Sequence, residues 1–240
     1  MPGEAAPAFV YVPELPVAGA SGWIEGEERH HLVNVCRARP GERATATDGR
    51  GRRATIRLGE VGRRVAFEVE SVERVGRGPL AAIACGAPEG ARADWLIEKL
   101  AELGVGELHL IDTARARWRW TAARAARGER LAVAALKQSR RAHRLRIAAP
   151  APLADWLAGL PRGGTRGLAD VAGAGVHEPP GDSAFLAAAG PAQGFTPEER
   201  AALVRAGFVP VRLAAGTLRA ETAGLALGVL WAAGSAEAAS

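Results

Sequence analysis

This 240-residue chain has only two cysteines, Cys36 and Cys85, far apart and in no paired spacing, which excludes a disulfide framework and a cysteine-based zinc site. Both read as small buried hydrophobes. No run approaches the roughly 20 apolar residues that a membrane crossing requires, and the first 28 positions hold no Lys or Arg to start a secretion signal. A cytoplasmic protein without membrane contact is expected. The five histidines include the adjacent His30 and His31, yet no second cluster completes a metal site and no nucleophile has an evident partner. Metal-free chemistry is expected. Aromatics are scarce at 5%, but a 48% hydrophobic fraction without a long polar tract supports folded cores, and the length suits two modest domains.

Acid is missing from one stretch in particular. Residues 114–146 carry eleven Lys/Arg against the single Glu129, a local charge of +10 on a chain whose remainder is −5. Solvated faces usually mix signs. A stripe this one-sided suits a polyphosphate, because each cation set on a phosphate releases counterions. Nucleic acid is the expected partner. Within the stripe, Trp118-Arg119-Trp120 reads two ways: as base-stacking aromatics among cations, or as one core tryptophan beside a surface outlier.

Residues 8–12, 22–25, 43–47, 54–58 and 65–72 read as strands of a small β-barrel, with alternation clearest in Thr55-Ile56-Arg57-Leu58 and Ala66-Phe67-Glu68-Val69. One helix at 27–37 interrupts them, with Leu32, Val35 and Cys36 on a shared face and Pro40-Gly41 as its stop. Asp48-Gly49 marks a hairpin. The glycines and proline of 74–79 break the pattern, which places a domain boundary between 1–76 and 77–240. Beyond it, strands at 80–85 and 107–111 alternate with helices at 94–103 and 121–139, the order of a parallel sheet covered by helices. An apolar strand at 184–189 then enters Gly190-Pro191-Ala192-Gln193-Gly194-Phe195. Thr196-Pro197-Glu198-Glu199 supplies an N-cap, a first-turn proline and a capping-box Glu. A strand at 208–213, a turn at 214–216 and a helix at 221–231 follow, with Glu221 near the positive helix start. Two glycine-bearing loops thus leave neighbouring strand ends, where an open α/β sheet places a small ligand.

Two other glycine patterns are set aside. Gly49-Arg50-Gly51-Arg52-Arg53-Ala54 fits a dinucleotide fingerprint on paper but precedes a strand where the fingerprint needs a helix. Asp170-Val171-Ala172-Gly173-Ala174-Gly175 lacks a following helix, because His177-Glu178-Pro179-Pro180-Gly181 cannot continue as one.

Several segments resemble one family in order. His30-His31-Leu32 through Arg37, Pro40-Gly41-Glu42 and Asp48-Gly49-Arg50-Gly51 resemble the N-terminal signature of the RsmE family, the small-subunit ribosomal RNA uridine N3-methyltransferases. Glu98-Lys99-Leu100-Ala101-Glu102-Leu103-Gly104-Val105 is similar to its lysine-and-ELG helix end, and Gln138-Ser139-Arg140-Arg141 to its Gln-Ser-Gly-Arg segment. Gly190-Pro191-x-x-Gly194-Phe195 and Leu218-Arg219-x-Glu221-Thr222-Ala223 are similar to its two cofactor loops. The resemblance implies an α/β protein: a PUA-like β-barrel followed by a SPOUT domain with a trefoil knot, dimeric through knot helices. It implies S-adenosylmethionine held at Ala189, Gly190, Pro191, Gly194, Leu213, Ala214, Leu218, Arg219, Glu221 and Thr222. Ribosomal RNA of the small subunit is the implied partner, held by Arg37, Arg39, Arg50, Arg52, Arg53, Lys99, Gln138, Arg140, Arg141 and Arg144.

Under this reading the uridine N3 attacks the activated methyl in line, and alignment is the protein's main task. Arg219 is the expected donor to charge growing on the uracil carbonyl oxygens. Glu221 either positions a cofactor group or accepts a proton, with helix-start stabilisation as its structural alternative. The chain departs from the family at Ala192 and Gln193, which replace Glu and Gly, at Ala214 and Gly216, and at Arg140, which replaces Gly. A left-handed backbone at Gln193 is expected to cost about 1 kcal/mol or to reshape the loop. Two alternatives follow: a catalytically impaired paralogue that binds RNA or assists ribosome assembly, and a methyltransferase with another RNA target.

Overall fold

The computed structural model describes residues 7–88, 92–175 and 183–237. The expected helix break at 177–181 lies outside the described residues. The chain divides into two compact units. One comprises the residues up to Arg77 joined by Leu136–Arg144; the other comprises Gly78–Ala135 and everything from Leu145 onward.

The first unit is a five-stranded sheet: β1 (Phe9–Tyr11), β2 (Ser21–Ile24), β3 (Arg43–Thr47), β4 (Arg52–Val61) and β5 (Val65–Arg74), in the order β1-β3-β4-β5-β2. β1 runs parallel to β3, and the other pairs are antiparallel. Period-2 alternation builds its core: Ala54, Ile56 and Leu58 of β4 and Val65, Phe67 and Val69 of β5 point inward, while Arg57 and Glu68 point out. The interrupting helix departs from expectation. α1 (Gly26–His30) runs into a π-helical turn (His31–Val35), closed by the Cys36 N–H donating to the His31 carbonyl at 3.0 Å. The wider turn rotates the following side chains. Leu32 is buried, whereas Val35 and Cys36 are exposed, so only one cysteine of the chain, Cys85, is a core residue. The helix also stops earlier than Pro40-Gly41: Arg37 takes a left-handed φ of 55° and the Ala38 N–H reaches back to the Leu32 carbonyl at 3.0 Å.

Segment Leu136–Arg144 completes this unit. The hairpin glycines Gly49 (φ 69°) and Gly51 (φ 99°) turn the chain between β3 and β4. The Gly51 N–H donates to the Ala142 carbonyl and the Arg144 N–H to the Gly49 carbonyl, both at 2.9 Å. A Cβ on Gly51 would lie 2.5 Å from His143 Cε1. Lys137 Nζ donates to Glu28 Oε1 at 2.5 Å, and Glu28 Oε2 accepts from the Tyr11 N–H at 3.0 Å.

The second unit is a six-stranded, wholly parallel sheet: β6 (Ala81–Gly86), β7 (Glu107–Asp112), β8 (Arg146–Pro152), β9 (Thr165–Gly175), β10 (Phe185–Ala189) and β11 (Val209–Arg212). The order is β11-β9-β10-β6-β7-β8. Its helices are α2 (Arg92–Leu103), α3 (Ala122–Gln138), α4 (Leu153–Ala158), α5 (Pro197–Arg205) and α6 (Ala220–Glu237). Ala81, Ile83, Cys85, Phe185, Ala187 and Ala189 face a core shared with α2, α3 and α6. The alternate residues Ala82, Ala84, Leu186 and Ala188 face the core shared with α4 and α5. Burial on both faces is why these central strands are unbroken apolar runs. β9 intervenes between β10 and β11, so the two glycine-bearing loops do not leave adjacent strands as expected. Both tryptophans of the basic stripe pack inward. Trp118 donates Nε1–H to the Cys85 carbonyl at 3.0 Å, and half-buried Trp120 meets it edge-on at 5.9 Å between ring centroids.

Candidate functional site

Three segments enclose a cavity of about 350 Å³: the loops beyond the carboxyl ends of β10 and β11, and an irregular stretch within β9. The first is the loop after β10, residues 190–195. Its backbone lies so close to the end of β6 that a Cβ on Gly86 would sit 2.5 Å from the Pro191 nitrogen. The turn needs one left-handed residue, and that residue is Gly194 at φ 70°. Gln193 carries no positive φ, so the cost expected there is not incurred. Among the described residues the non-glycine positions at positive φ are Arg37 and Arg140, so of the substitutions expected to strain the backbone it is Arg140, and not Gln193, that sits in the left-handed region.

The sequence that follows anchors this loop. Thr196 Oγ1 accepts from the Glu199 N–H at 3.2 Å and Glu199 Oε2 accepts from the Thr196 N–H at 2.9 Å, which caps α5. Glu199 Oε1 also accepts from the Ala114 N–H at 2.7 Å, and the Arg115 guanidinium donates to the Gln193 carbonyl at 2.5 Å. The segment after β7 thereby latches the loop after β10.

The second wall is the turn after β11, with Leu213, Ala214 and Leu218. The third was not anticipated. Pairing of β11 with β9 jumps from Leu168 at Pro210 to Ala174 at Val211, which leaves residues 169–173 as a bulge. A Cβ on Gly173 would meet the Pro210 carbonyl carbon at 2.6 Å, so glycine permits the return to register. In the bulge Asp170 Oδ1 accepts from the Ala172 N–H at 2.8 Å, while Oδ2 pairs with Arg200 Nε of α5. Burial pushes this carboxyl upward, but the Ala172 N–H and the Arg200 guanidinium outweigh it and hold Asp170 below the ordinary carboxylate value.

Of the residues expected at the site, Gly190, Pro191, Gly194, Leu213, Ala214 and Leu218 line the cavity together with Ala192 and Gln193. Ala189, Arg219, Glu221 and Thr222 do not. Ala189 is buried in β10, and Arg219 is exposed at the entry to α6. Glu221 is buried with Oε1 3.4 Å from Arg92 Nε. Burial, with the Glu221 charge nearby, pushes the Cys85 thiol up to about 12, so it stays protonated and inert at neutral pH.

Residues 79–232 match the family described as RNA methyltransferase domain, and residues 24–67 match the one described as RNA methyltransferase PUA domain. The ribosomal RNA small subunit methyltransferases E of Mycobacterium bovis and Mycobacterium tuberculosis are each 34% identical to the chain over 244 residues, covering 92% of it and 89% of the relative. The chain belongs to the ribosomal RNA small subunit methyltransferase E family. The crystal structure of such a methyltransferase E from Neisseria gonorrhoeae, bound to S-adenosyl methionine, matches the fold with a TM-score of 0.84 at 26% identity, covering 93% of this chain and 95% of that one.

Within this RsmE-family frame the cations expected to hold RNA differ in their surroundings. Arg37, Arg39, Arg50, Arg140 and Arg141 are exposed, as is Gln138, and Arg144 is half-buried. Arg52 is committed to the carbonyls of Leu15 and Pro16 at 2.5 and 2.6 Å. Arg53 pairs with Glu73. Lys99 lies between Glu98 at 2.7 Å and Glu102 at 2.8 Å, so its charge is more than offset locally. Among the described residues no group of three His, Cys, Asp or Glu is arranged to hold a metal ion, and no helix is long and apolar enough to cross a membrane.

Proposed function

We propose that this chain transfers the methyl group of S-adenosylmethionine to N3 of a uridine in small-subunit ribosomal RNA. The observation that carries the reading is the cavity walled by the two family loops, in a chain whose Neisseria relative is named as bound to that donor. The residues fit the donor. The volume lies within the range of small-molecule sites, and Leu168, Phe195, Leu213 and Leu218 offer apolar walls for a flat base beside loop backbone. Residues 190–194 and 213–218 would hold the adenosine, with Ala189 and Thr222 supporting those loops from the adjoining strand and helix. When bound, the donor supplies an electrophilic methyl on a sulfonium.

The chain supplies alignment and charge. Arg219 follows cavity-lining Leu218 and is solvent-facing, which makes it available to negative charge on the uracil carbonyl oxygens as the N3 proton leaves. Glu221, buried against Arg92, anchors the start of α6 in this scheme. Arg37, Arg39, Arg50, Gln138, Arg140, Arg141 and Arg144 grip the RNA, whereas Arg52, engaged by the Leu15 and Pro16 carbonyls, and Lys99, engaged by Glu98 and Glu102, leave that role to them. The unstrained Gln193 takes away the loop-strain argument for a purely RNA-binding paralogue.

Calorimetry with S-adenosylmethionine, and mass-spectrometric mapping of N3-methyluridine in ribosomal RNA from cells with and without the gene, test the reading. A ribosomal RNA unchanged by loss of the gene refutes it. Arg219→Ala is expected to lower turnover at least about 100-fold with RNA affinity retained; unaltered turnover removes Arg219 from the mechanism. The protein acts as a cytoplasmic homodimer in this reading, supported by α2 and α6, which pack together yet leave Trp95 and Val229 exposed. Sedimentation equilibrium is expected to give twice the 24.9 kDa of one chain, and a single-chain mass rejects the dimer.

A further inference from the structure

The charges inside the cavity are few and paired. Among the described residues that line it, Asp170 and Arg200 are the ionisable ones; the rest are apolar, glycine, or neutral polar. They come from different elements, the β9 bulge and the first turns of α5, and meet in an ion pair at the cavity wall. Their exposure differs: the Asp170 side chain is 14% exposed and that of Arg200 is 45% exposed. Asp170 is also fixed through Oδ1 by the Ala172 N–H, so its second oxygen is held in place while the arginine retains freedom at the mouth.

A plain ion pair half open to solvent contributes little to folding. It is a poor reason for a strand to leave its register over five residues, which is what the bulge at 169–173 does. A ligand that itself carries adjacent opposite charges supplies a reason. An ammonium and a carboxylate on one carbon can enter between the two side chains, each ligand charge taking the opposite partner, with charge balance kept and no buried charge left unpaired. We propose that Asp170 and Arg200 form the subsite for the amino-acid end of the methyl donor, Asp170 taking its α-ammonium and Arg200 its α-carboxylate. This rests on the donor reading given above and deepens it: the loops hold the nucleoside, and the bulge with α5 reads the zwitterion. The depressed carboxyl of Asp170 agrees, since it keeps the acceptor ionised throughout the neutral range.

The test is calorimetric and needs no turnover. Wild type, Asp170→Asn and Arg200→Met are each titrated with S-adenosylmethionine, with S-adenosylhomocysteine, and with 5′-methylthioadenosine, which keeps the nucleoside thioether but lacks the amino-acid end. Each substitution is expected to weaken the first two ligands roughly 10- to 100-fold and to leave methylthioadenosine within about twofold. Retained methylthioadenosine binding also certifies that the variant cavity is folded. Parallel loss of all three ligands would overturn the subsite in favour of a structural role for the pair. Loss of S-adenosylmethionine affinity alone, with S-adenosylhomocysteine unaffected, would overturn it by assigning Asp170 to the sulfonium. Wild type that binds both donor and thioether, with variants that do so equally well, overturns the subsite and leaves the donor reading standing. Wild type that binds none of the three overturns the donor reading itself.

Discussion

Arg140 occupies a left-handed backbone position, φ 54°, of the kind that glycine takes without strain. A side chain there costs about 1–2 kcal/mol, partly offset because glycine loses more freedom on folding. Arg140→Gly is therefore expected to stabilise the protein by about 0.5–1 kcal/mol, seen as a higher urea midpoint at unchanged slope, while weakening RNA binding. A lower midpoint would mean that the guanidinium contact to the Pro7 carbonyl outweighs the strain. This site shows the reach of the sequence at single residues. The departures at Ala192, Gln193 and Arg140 are all visible in the letters, but which member of a loop turns left-handed is decided by the path of the backbone. The strain falls on Arg140, and Gly194 carries the turn in the loop after β10.

Elements with local signals were legible. The capping box at Thr196 and Glu199, Gly104 and Gly207 as helix stops, and the apolar runs of β6 and β10 mark their own ends. The elements that left no signal are β8, α4 and β9. β8 contains Pro150 and Pro152, tolerated because it is the outer strand of the sheet. β9 holds Gly167, Gly173 and Gly175 with little alternation, and is a strand because β10 and β11 pair with it on either side. Its bulge supplies one wall of the cavity, so the part of the site that was missed belongs to the element that could not be read. Gly86 tests how tightly the loop after β10 is seated. Gly86→Ala places a methyl 2.5 Å from the Pro191 nitrogen and 2.7 Å from its Cδ, so backbone must move. A loss of about 1–3 kcal/mol and weaker donor binding are expected, read by denaturant titration and calorimetry. Gly76→Ala, with open space around its Cβ, is the control; equal behaviour of the two variants would refute the close seating.

For the molecule as a whole, net charge misstates what RNA meets. The excess of +10 over residues 114–146 includes Lys137 held by Glu28, Arg127 held by Asp94 and Arg146 held by Glu107. The cations of segment Leu136–Arg144 are grouped with the barrel hairpin that carries Arg50. Replacing Arg140, Arg141 and Arg144 by Gln is expected to reduce the slope of log affinity against log salt by about 2–3, measured by fluorescence anisotropy from low to moderate salt. A slope equal to wild type places those arginines away from the phosphates. The same segment bears on biosynthesis. Residues up to Arg77 leave the ribosome well before Ala142, His143 and Arg144, whose backbone joins the turn at Gly49–Gly51. The amino-terminal unit is thus finished only after much of the carboxyl-terminal unit has been translated. A fragment cut at Arg77 would lack a piece of its own fold.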